Sequence, residues 1–386
     1  MIHKNPYGVS PTLDIVIGNV EIDYTTINFL ELHLAENQHD LLVMEMSGIP
    51  PRAIIDYYNK PVSVSISTGG NYSQKFYGYV EDVRPESVTG FGLMNGSPFQ
   101  TAKIVCLGAS YVMRGSTSFV WNRYRLSDIA RDLANKYSFS LDVVKDPAIH
   151  ESLVQTNESD WQFLTRYATF LGYSVNVHGT HMHLYDPYKA LSRQNSYHVL
   201  STLRKKDNNS LRPMPGQVME FSGSFSKRHI DGEYKESIVT VVQPDNRMFN
   251  VTSRTVAPTN NGVPRFPNRV AEYTDNFEEA ARRISSVSKE KYDYYATAKV
   301  IGVAGCKPGG VVRLDNYDTE FDGFWYVHSV KHTVHSNAFF SELELVKNVN
   351  SELVFTNTEP MQRPPDTAYS SRFGWVAETK RIHEYS

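Results

Sequence analysis

Twice in this chain the same order of residue types recurs, and the recurrence restricts the fold more than any other feature. In the first block Pro61-Val62 opens a run in which Val62, Val64 and Ile66 alternate with Ser63, Ser65 and Ser67. A polar turn follows, then Phe76-Tyr77-Gly78-Tyr79-Val80-x-x-Val83, then a second alternating run with Ala102, Ile104 and Cys106. In the second block Gly310-Val311 opens the strand and residues 315–322 form the polar turn. Phe321-Asp322-Gly323-Phe324-Trp325-Tyr326-Val327-x-x-Val330 then leads into residues 339–346. Alternation with period two puts one set of side chains on one face of a sheet, the mark of a half-buried strand. Short strands with regular turns predict a small barrel for each block. In this reading Gly78, Gly323, Pro308 and Gly309 are turn formers, and Trp325 is a core or contact anchor.

Between the blocks the period changes. Leu126, Ile129, Ala130, Leu133, Ala134 and Tyr137 recur at helical spacing over residues 124–137. Ser159 and Gln162 form an S-x-x-Q capping box, whose two side chains satisfy two orphaned backbone donors. Trp161, Leu164, Ala168 and Leu171 follow at helical spacing, with Phe163, Tyr167 and Phe170 widening the apolar face. Gly172 stands where a left-handed C′ residue ends such a helix. Residues 173–177 and 181–185 read as strands about a turn at 178–180. Asp275-x-x-Glu278 caps a further helix over residues 276–288 with Phe277, Ala281, Ile284 and Val287 inward. Residues 190–217 read as an exposed polar connector, residues 218–254 as strands, and residues 256–275 as an irregular loop.

The expected class is therefore α+β and β-dominated: two similar small β-barrel domains, an inserted α+β subdomain, and bracing helices. The expected boundaries are 1–108 for the first barrel, 109–190 for the insert and 191–296 for connector strands, loop and helix. The second barrel core is 297–348 with strands from 218–254, and 349–386 form a C-terminal extension that is a docking arm or disordered.

The chemistry sought in the sequence is mostly missing. The formal net charge of −3 offers no global attraction for nucleic acid or an anionic membrane. Two cysteines, Cys106 and Cys306, are too few for a disulfide framework or a four-cysteine metal site, and read as small buried hydrophobes. No apolar run suits a signal peptide or a membrane span, so the chain is expected to be made and folded in a cytoplasm. Gly90-Phe91-Gly92-x-x-x-Gly96 is one residue too long for a dinucleotide loop and reads as a turn. Asp318-x-Glu320-x-Asp322-Gly323 imitates half a calcium loop, but its twelfth position is Ser329 rather than glutamate, and it reads as an acidic hairpin turn. His178, His181 and His183 are either hairpin histidines or part of a metal site lacking further ligands. His328 and His332 are expected on one strand face and His335 on the other. No residue pattern anchors catalysis and no cofactor is expected.

Two stretches resemble the phage tail hub family, which includes baseplate hub and late-control proteins of contractile tails. It also includes the first part of type VI secretion spike proteins and the N-terminal module of some siphophage tail proteins. One stretch is Gln155-x-Asn157-Glu158-Ser159-Asp160-x-x-Phe163-Leu164, then Gly172-Tyr173 and a hairpin ending in Asp186-Pro187. The other is Pro308-Gly309, then Asp322-Gly323-x-Trp325-x-Val327 and His332. The resemblance covers roughly residues 10–348 and implies a non-enzymatic structural protein of the virion tail tip or baseplate, assembled in the bacterial host cytoplasm. It implies a homotrimer whose six barrels form a ring of pseudo-sixfold symmetry. That ring would join a hexameric tail tube or distal tail protein to a central spike or fibre, beside other baseplate proteins. Phage DNA would touch it only in transit through the channel, and it would not insert in a membrane. No lysozyme-like insert or C-terminal spike region is visible in this sequence, so cell-wall cleavage and membrane puncture are not expected of it. A tail-associated glycan or peptidoglycan hydrolase, or a glycan-binding module, is the alternative.

Overall fold

The computed structural model describes residues 11–47, 56–68, 73–88, 99–146, 149–187, 196–202, 215–225, 235–242, 248–255, 268–274, 292, 294–315, 317, 321–335, 338–347 and 359–360. The first lobe is β1 (Thr12–Ile17), β2 (Val20–Ile22), β3 (Ile27–Ala35), β4 (Leu41–Ser47), β5 (Pro61–Ser67), β6 (Ser73–Val88) and β7 (Phe99–Gly108). In space the order is β3-β4-β7-β6-β5-β1-β2. Outside the bulges, alternate residues of these strands turn to one face. Leu30, Leu32, Leu42, Met44, Val62, Val64, Ile104 and Cys106 all enter one core, so the sheet curls around its own apolar side. Burying each such side chain contributes about 1.5–3 kcal/mol before entropy is counted.

The α+β insert follows: β8 (Ser116–Tyr124), α1 (Leu126–Lys136), β9 (Ser140–Val143), β10 (His150–Ser159), α2 (Asp160–Phe170), β11 (Ser174–His178) and β12 (His181–Tyr185). β8 and β10 form an antiparallel ribbon; β12 pairs with β11 antiparallel and with β9 parallel. The inward faces of both helices share a separate core around Trp161, Phe163 and Leu164.

The second lobe uses β13 (Ser196–Ser201), β14 (Val218–Phe225), β18 (Tyr294–Ile301), β19 (Val311–Asp315), β20 (Gly323–His335) and β21 (Ala338–Lys347). Its core gathers Val300, Val312, Leu314, Trp325, Val327 and Leu343. A small sheet of β15 (Lys235–Val242), β16 (Met248–Thr255) and β17 (Asn268–Thr274) lies in sequence between β14 and β18. A last short strand, β22 (Glu359–Pro360), pairs with β13.

The two lobes repeat one topology. The first orders its strands β3-β4-β7-β6-β5-β1 and the second β14-β18-β21-β20-β19-β13, and in both the chain visits these places in the same succession. The irregularities repeat as well. β6 has a bulge between Val80 and Asp82, and β20 one between Val327 and Ser329; β3 shifts between Ile27 and Phe29, and β14 between Val218 and Glu220. Asn59 donates to Val80 O and Val80 to Lys60 O, just as Gly309 donates to Val327 O and Val327 to Gly310 O. One pairing differs: β1 runs antiparallel to β5, whereas β13 runs parallel to β19.

The bulges explain V-x-x-V. In a regular strand residues i and i+3 face opposite ways, but one extra residue between them restores a common face. Val80 and Val83 thus both reach the first core, and Val327 and Val330 the second. The F-x-G element does not superpose. Gly78 precedes its bulge valine by two residues and Gly323 by four. Gly78 is not a turn former as expected: it lies inside β6, paired with Val62 and Gly108, and a Cβ on it would lie 2.1 Å from Leu107 O, so this glycine permits close strand approach. Gly323 has open space around it but φ +106°, a conformation that disfavours side chains.

Four further expectations need correction. The connector 190–217 holds the buried strand β13, with Tyr197, His198, Val199 and Leu200 in the interior. The loop 256–275 holds β17. Each of these strands has a parallel partner distant in sequence, which local punctuation does not announce. His328 and His332 do not share a face: the bulge at His328 leaves it exposed while His332 is buried. The stretch 173–185 turns at Gly179-Thr180 alone, since β11 runs through His178. The helix 276–288, the Gly90–Gly96 turn, Asp318 and Glu320, and the extension 349–386 other than 359–360 lie outside the described residues.

Candidate assembly interfaces

The Gln155-to-Phe163 signature ties a strand to two helices. Asp160, 2% exposed, accepts from Gln155 Nε2 at 2.8 Å through Oδ1, and from Lys136 Nζ at 2.6 Å and Tyr137 Oη at 2.7 Å through Oδ2. Burial would raise its pKa, but these three donors outweigh it and hold the carboxyl below its usual range. Gln155 also donates to Glu158 O at 3.1 Å, spanning a bulge in β10 where Asn157 takes φ +47°. Glu158 pairs with Arg166 on α2. The capping box forms as expected: Gln162 N donates to Ser159 Oγ at 3.1 Å, and Ser159 N to Gln162 Oε1 at 3.0 Å. Phe163 is fully buried and stacks on Trp121. At the other end Tyr173 N donates to Ala168 O and Gly172 N to Thr169 O, a Schellman ending with Gly172 at φ +74°.

A junction that sequence reasoning missed joins all three units. The turn from β3 to β4, residues 36–40, projects into the insert. Glu36 Oε1 accepts from Tyr185 Oη of β12 at 2.6 Å and from Tyr326 Oη of β20, while Oε2 faces His328 Nδ1 at 3.2 Å. Asn37 exchanges hydrogen bonds with the backbone of Val175, and Asp40 Oδ2 lies 3.1 Å from His178 Nδ1. His39 stacks on Trp161 with ring centroids 4.9 Å apart. Burial and the Glu36 charge push both tyrosine hydroxyls well above their ordinary pKa. Pro308 is buried beside this junction. Gly309, at φ +82°, faces Tyr185, whose Oη would sit 2.9 Å from an added Cβ. The available sequence signal was a run of polar residues, Glu36-Asn37-Gln38-His39-Asp40, between two apolar-periodic strands.

Among the described residues no group of three His, Cys, Asp or Glu is placed to hold a metal. His178 serves Asp40, His181 lies against Ser140, and desolvation lowers the His183 pKa to about 3. Cys106 and Cys306 are both buried thiols. Trp325 is fully buried and donates its Nε1 to Phe321 O at 2.8 Å, an anchor of the second core.

What the fold does present is strand edge. β20 divides one edge between two partners: Gly323 to Tyr326 pair with β19, and Ser329 to His335 pair with β3. Fourteen strands thereby become one sheet running through both lobes. Among the described strands β14 pairs only with β18, β2 only with β1, and residues 82–88 of β6 only with β7. Residues 39–338 match the family described as phage tail baseplate hub (GPD). The chain belongs to that family.

The hub's fold is shared by solved structures of low sequence identity. A tail protein from Neisseria meningitidis MC58 is similar with a TM-score of 0.62 at 12% identity, covering 88% of the hub and 97% of that chain. The 43 kDa tail protein of prophage MuSo2 from Shewanella oneidensis gives 0.61 at 14%, covering 88% and 98%. The E. coli c3393 protein gives 0.56 at 9%, covering 92% and 81%; it is described as a type VI secretion component with structural similarity to T4 bacteriophage tail proteins gp27 and gp5. No curated protein sequence matches the hub. Membership assigns it to the phage tail baseplate, and among the described residues no helix is long and apolar enough to cross a membrane.

Proposed function

We propose that three hubs close into a ring, each contributing its two lobes. Six like sheet units would then meet a hexameric tail tube or distal tail ring on one side. The remaining, threefold parts would receive a central spike or fibre and other baseplate proteins on the other. The observation that carries this reading is the repetition of one strand order and its bulges in both lobes, since like units joined head to tail close by rotation. The first lobe (β1–β7) and the second lobe (β13, β14 and β18–β21) are the ring-forming domains, and the α+β insert braces them. The polar groups of the signature serve folding: Gln155, Glu158, Ser159 and Asp160 bond within the insert, and the role of the hub is structural rather than enzymatic. Phage DNA passes through the ring without a dedicated site.

Native mass spectrometry tests this. A mass of three times 43.9 kDa, alone or with tail-tube or spike protein present, is the expected result. A hub that stays monomeric at high concentration and with both partners present overturns the ring.

A further inference from the structure

We infer that the joint between neighbouring hubs repeats the joint inside each hub, residues 82–88 of β6 in one copy pairing antiparallel with β14 of the next. The inference rests on the ring reading above and specifies which edges form it and in which register.

The internal joint supplies the template. β20 gives its first half to β19, bulges at His328, and then gives Ser329 to His335 to β3, in register Ser329↔Ala35 through His335↔Phe29. β6 is the strand that holds the place of β20 in the first lobe. It gives Ser73 to Tyr79 to β5, bulges at Glu81, and continues as residues 82–88 with β7 on one side and no partner among the described strands on the other. β14 holds the place of β3, carries the same bulge near its start, and its outer edge likewise has no partner among the described strands. Each hub thus presents one half of the internal joint at each end of its pair of lobes.

Aligning the bulges transfers the register residue by residue. Val330↔Leu34 becomes Val83↔Phe225, and Lys331↔His33 becomes Arg84↔Ser224; His335↔Phe29 becomes Val88↔Glu220. Gly223 falls opposite Pro85, which omits at most one backbone donor from the ladder. Three such joints and three internal ones make six equivalent contacts around the ring, and they cover edges that otherwise template aggregation. β2, another open edge of the large sheet among the described strands, is only three residues long and has no counterpart in the internal joint.

Cysteine cross-linking of the full chain tests the register. Arg84 and Ser224 are exposed, while the native Cys106 and Cys306 are 0% and 2% exposed and stay out of the reaction. Directly opposed residues have Cβ atoms about 4.5–5.5 Å apart, within reach of a short bismaleimide. K331C/H33C, the equivalent pair inside one hub, calibrates the reaction and reports folding. V20C/S224C reports the rival joint through β2. The expected result is a covalent trimer from R84C/S224C, in at least about tenfold higher yield than from V20C/S224C. A trimeric mass with equal or reversed yields overturns this joint and leaves the ring standing. A monomeric mass overturns the ring and the joint with it.

Discussion

Tyr185 donates its hydroxyl to Glu36 Oε1 at 2.6 Å, and through that bond the insert is fastened to the first lobe at the point where Tyr326 brings in the second. Glu36 is 9% exposed, and removing its carboxylate takes the acceptor from the Tyr185 and Tyr326 hydroxyls. Glu36→Ala is expected to cost about 2–4 kcal/mol in chemical denaturation, while Glu36→Gln, which keeps an acceptor, costs less.

His328 gives an independent reading of the same junction. Its hydrogen bond to Glu36 raises its pKa above the ordinary value. A raised pKa contributes stability below the unfolded value near 6.5, and the contribution is lost as pH rises through the folded value. The His328 ring is half exposed, so the effect on stability is small. The NMR titration of His328 is expected to move down toward the ordinary histidine range in Glu36→Gln.

Two buried histidines act with the opposite sign. Desolvation lowers both His198 and His332 to about 4. They are neutral in the fold, so stability is full above pH 6.5 and falls between about 6.5 and 4 as the unfolded chain takes up protons. Each group accounts for roughly 3 kcal/mol across that window. A denaturation series over this range checks it, and because His183 titrates in the same window, His332→Gln is expected to flatten the slope by about a third.

Asp160 is where the signature's polar groups converge. Asp160→Ala leaves the Gln155 amide, the Tyr137 hydroxyl and the Lys136 ammonium without their shared acceptor, and is expected to cost about 2–4 kcal/mol. Loss of insert amide protection in hydrogen exchange, with the first lobe's strands unaffected, is the expected pattern.

Gly78 and Gly323 separate two reasons for glycine. Gly78→Ala forces a methyl onto the Leu107 carbonyl and is expected to abolish soluble expression. Gly323→Ala meets no neighbour and costs about 1–3 kcal/mol of backbone strain. Expression and melting temperature of the two variants side by side check the contrast.

Residues whose partners lie close in sequence were legible before the structure. Ser159 and Gln162, Gly172, and the alternation of β5 and β7 follow from local spacing, and so does the family signature. The repeated V-x-x-V was visible as a pattern, yet its meaning, a bulge, required knowing that both valines face one core. What stayed hidden depends on distant pairing. β13 and β17 gain their strand character from parallel neighbours far along the chain, and Glu36 gains its importance from Tyr185 and Tyr326, which no local signal connects to it. Chain topology, not residue type, decides these.

The joint between β3 and β20 also sets a schedule for synthesis. Ala35 must wait for Ser329, about 290 residues later in translation. At the usual 5–20 residues per second the wait is about 15–60 s. Once β7 is made, and for the roughly 220 residues that remain before Ser329, the first lobe is complete enough to curl around its core but still carries β3 as a bare edge. A nascent hub is therefore most exposed to pairing with the wrong chain before its own second lobe leaves the ribosome. Crowding of neighbouring ribosomes on one messenger is the condition under which that hazard is greatest.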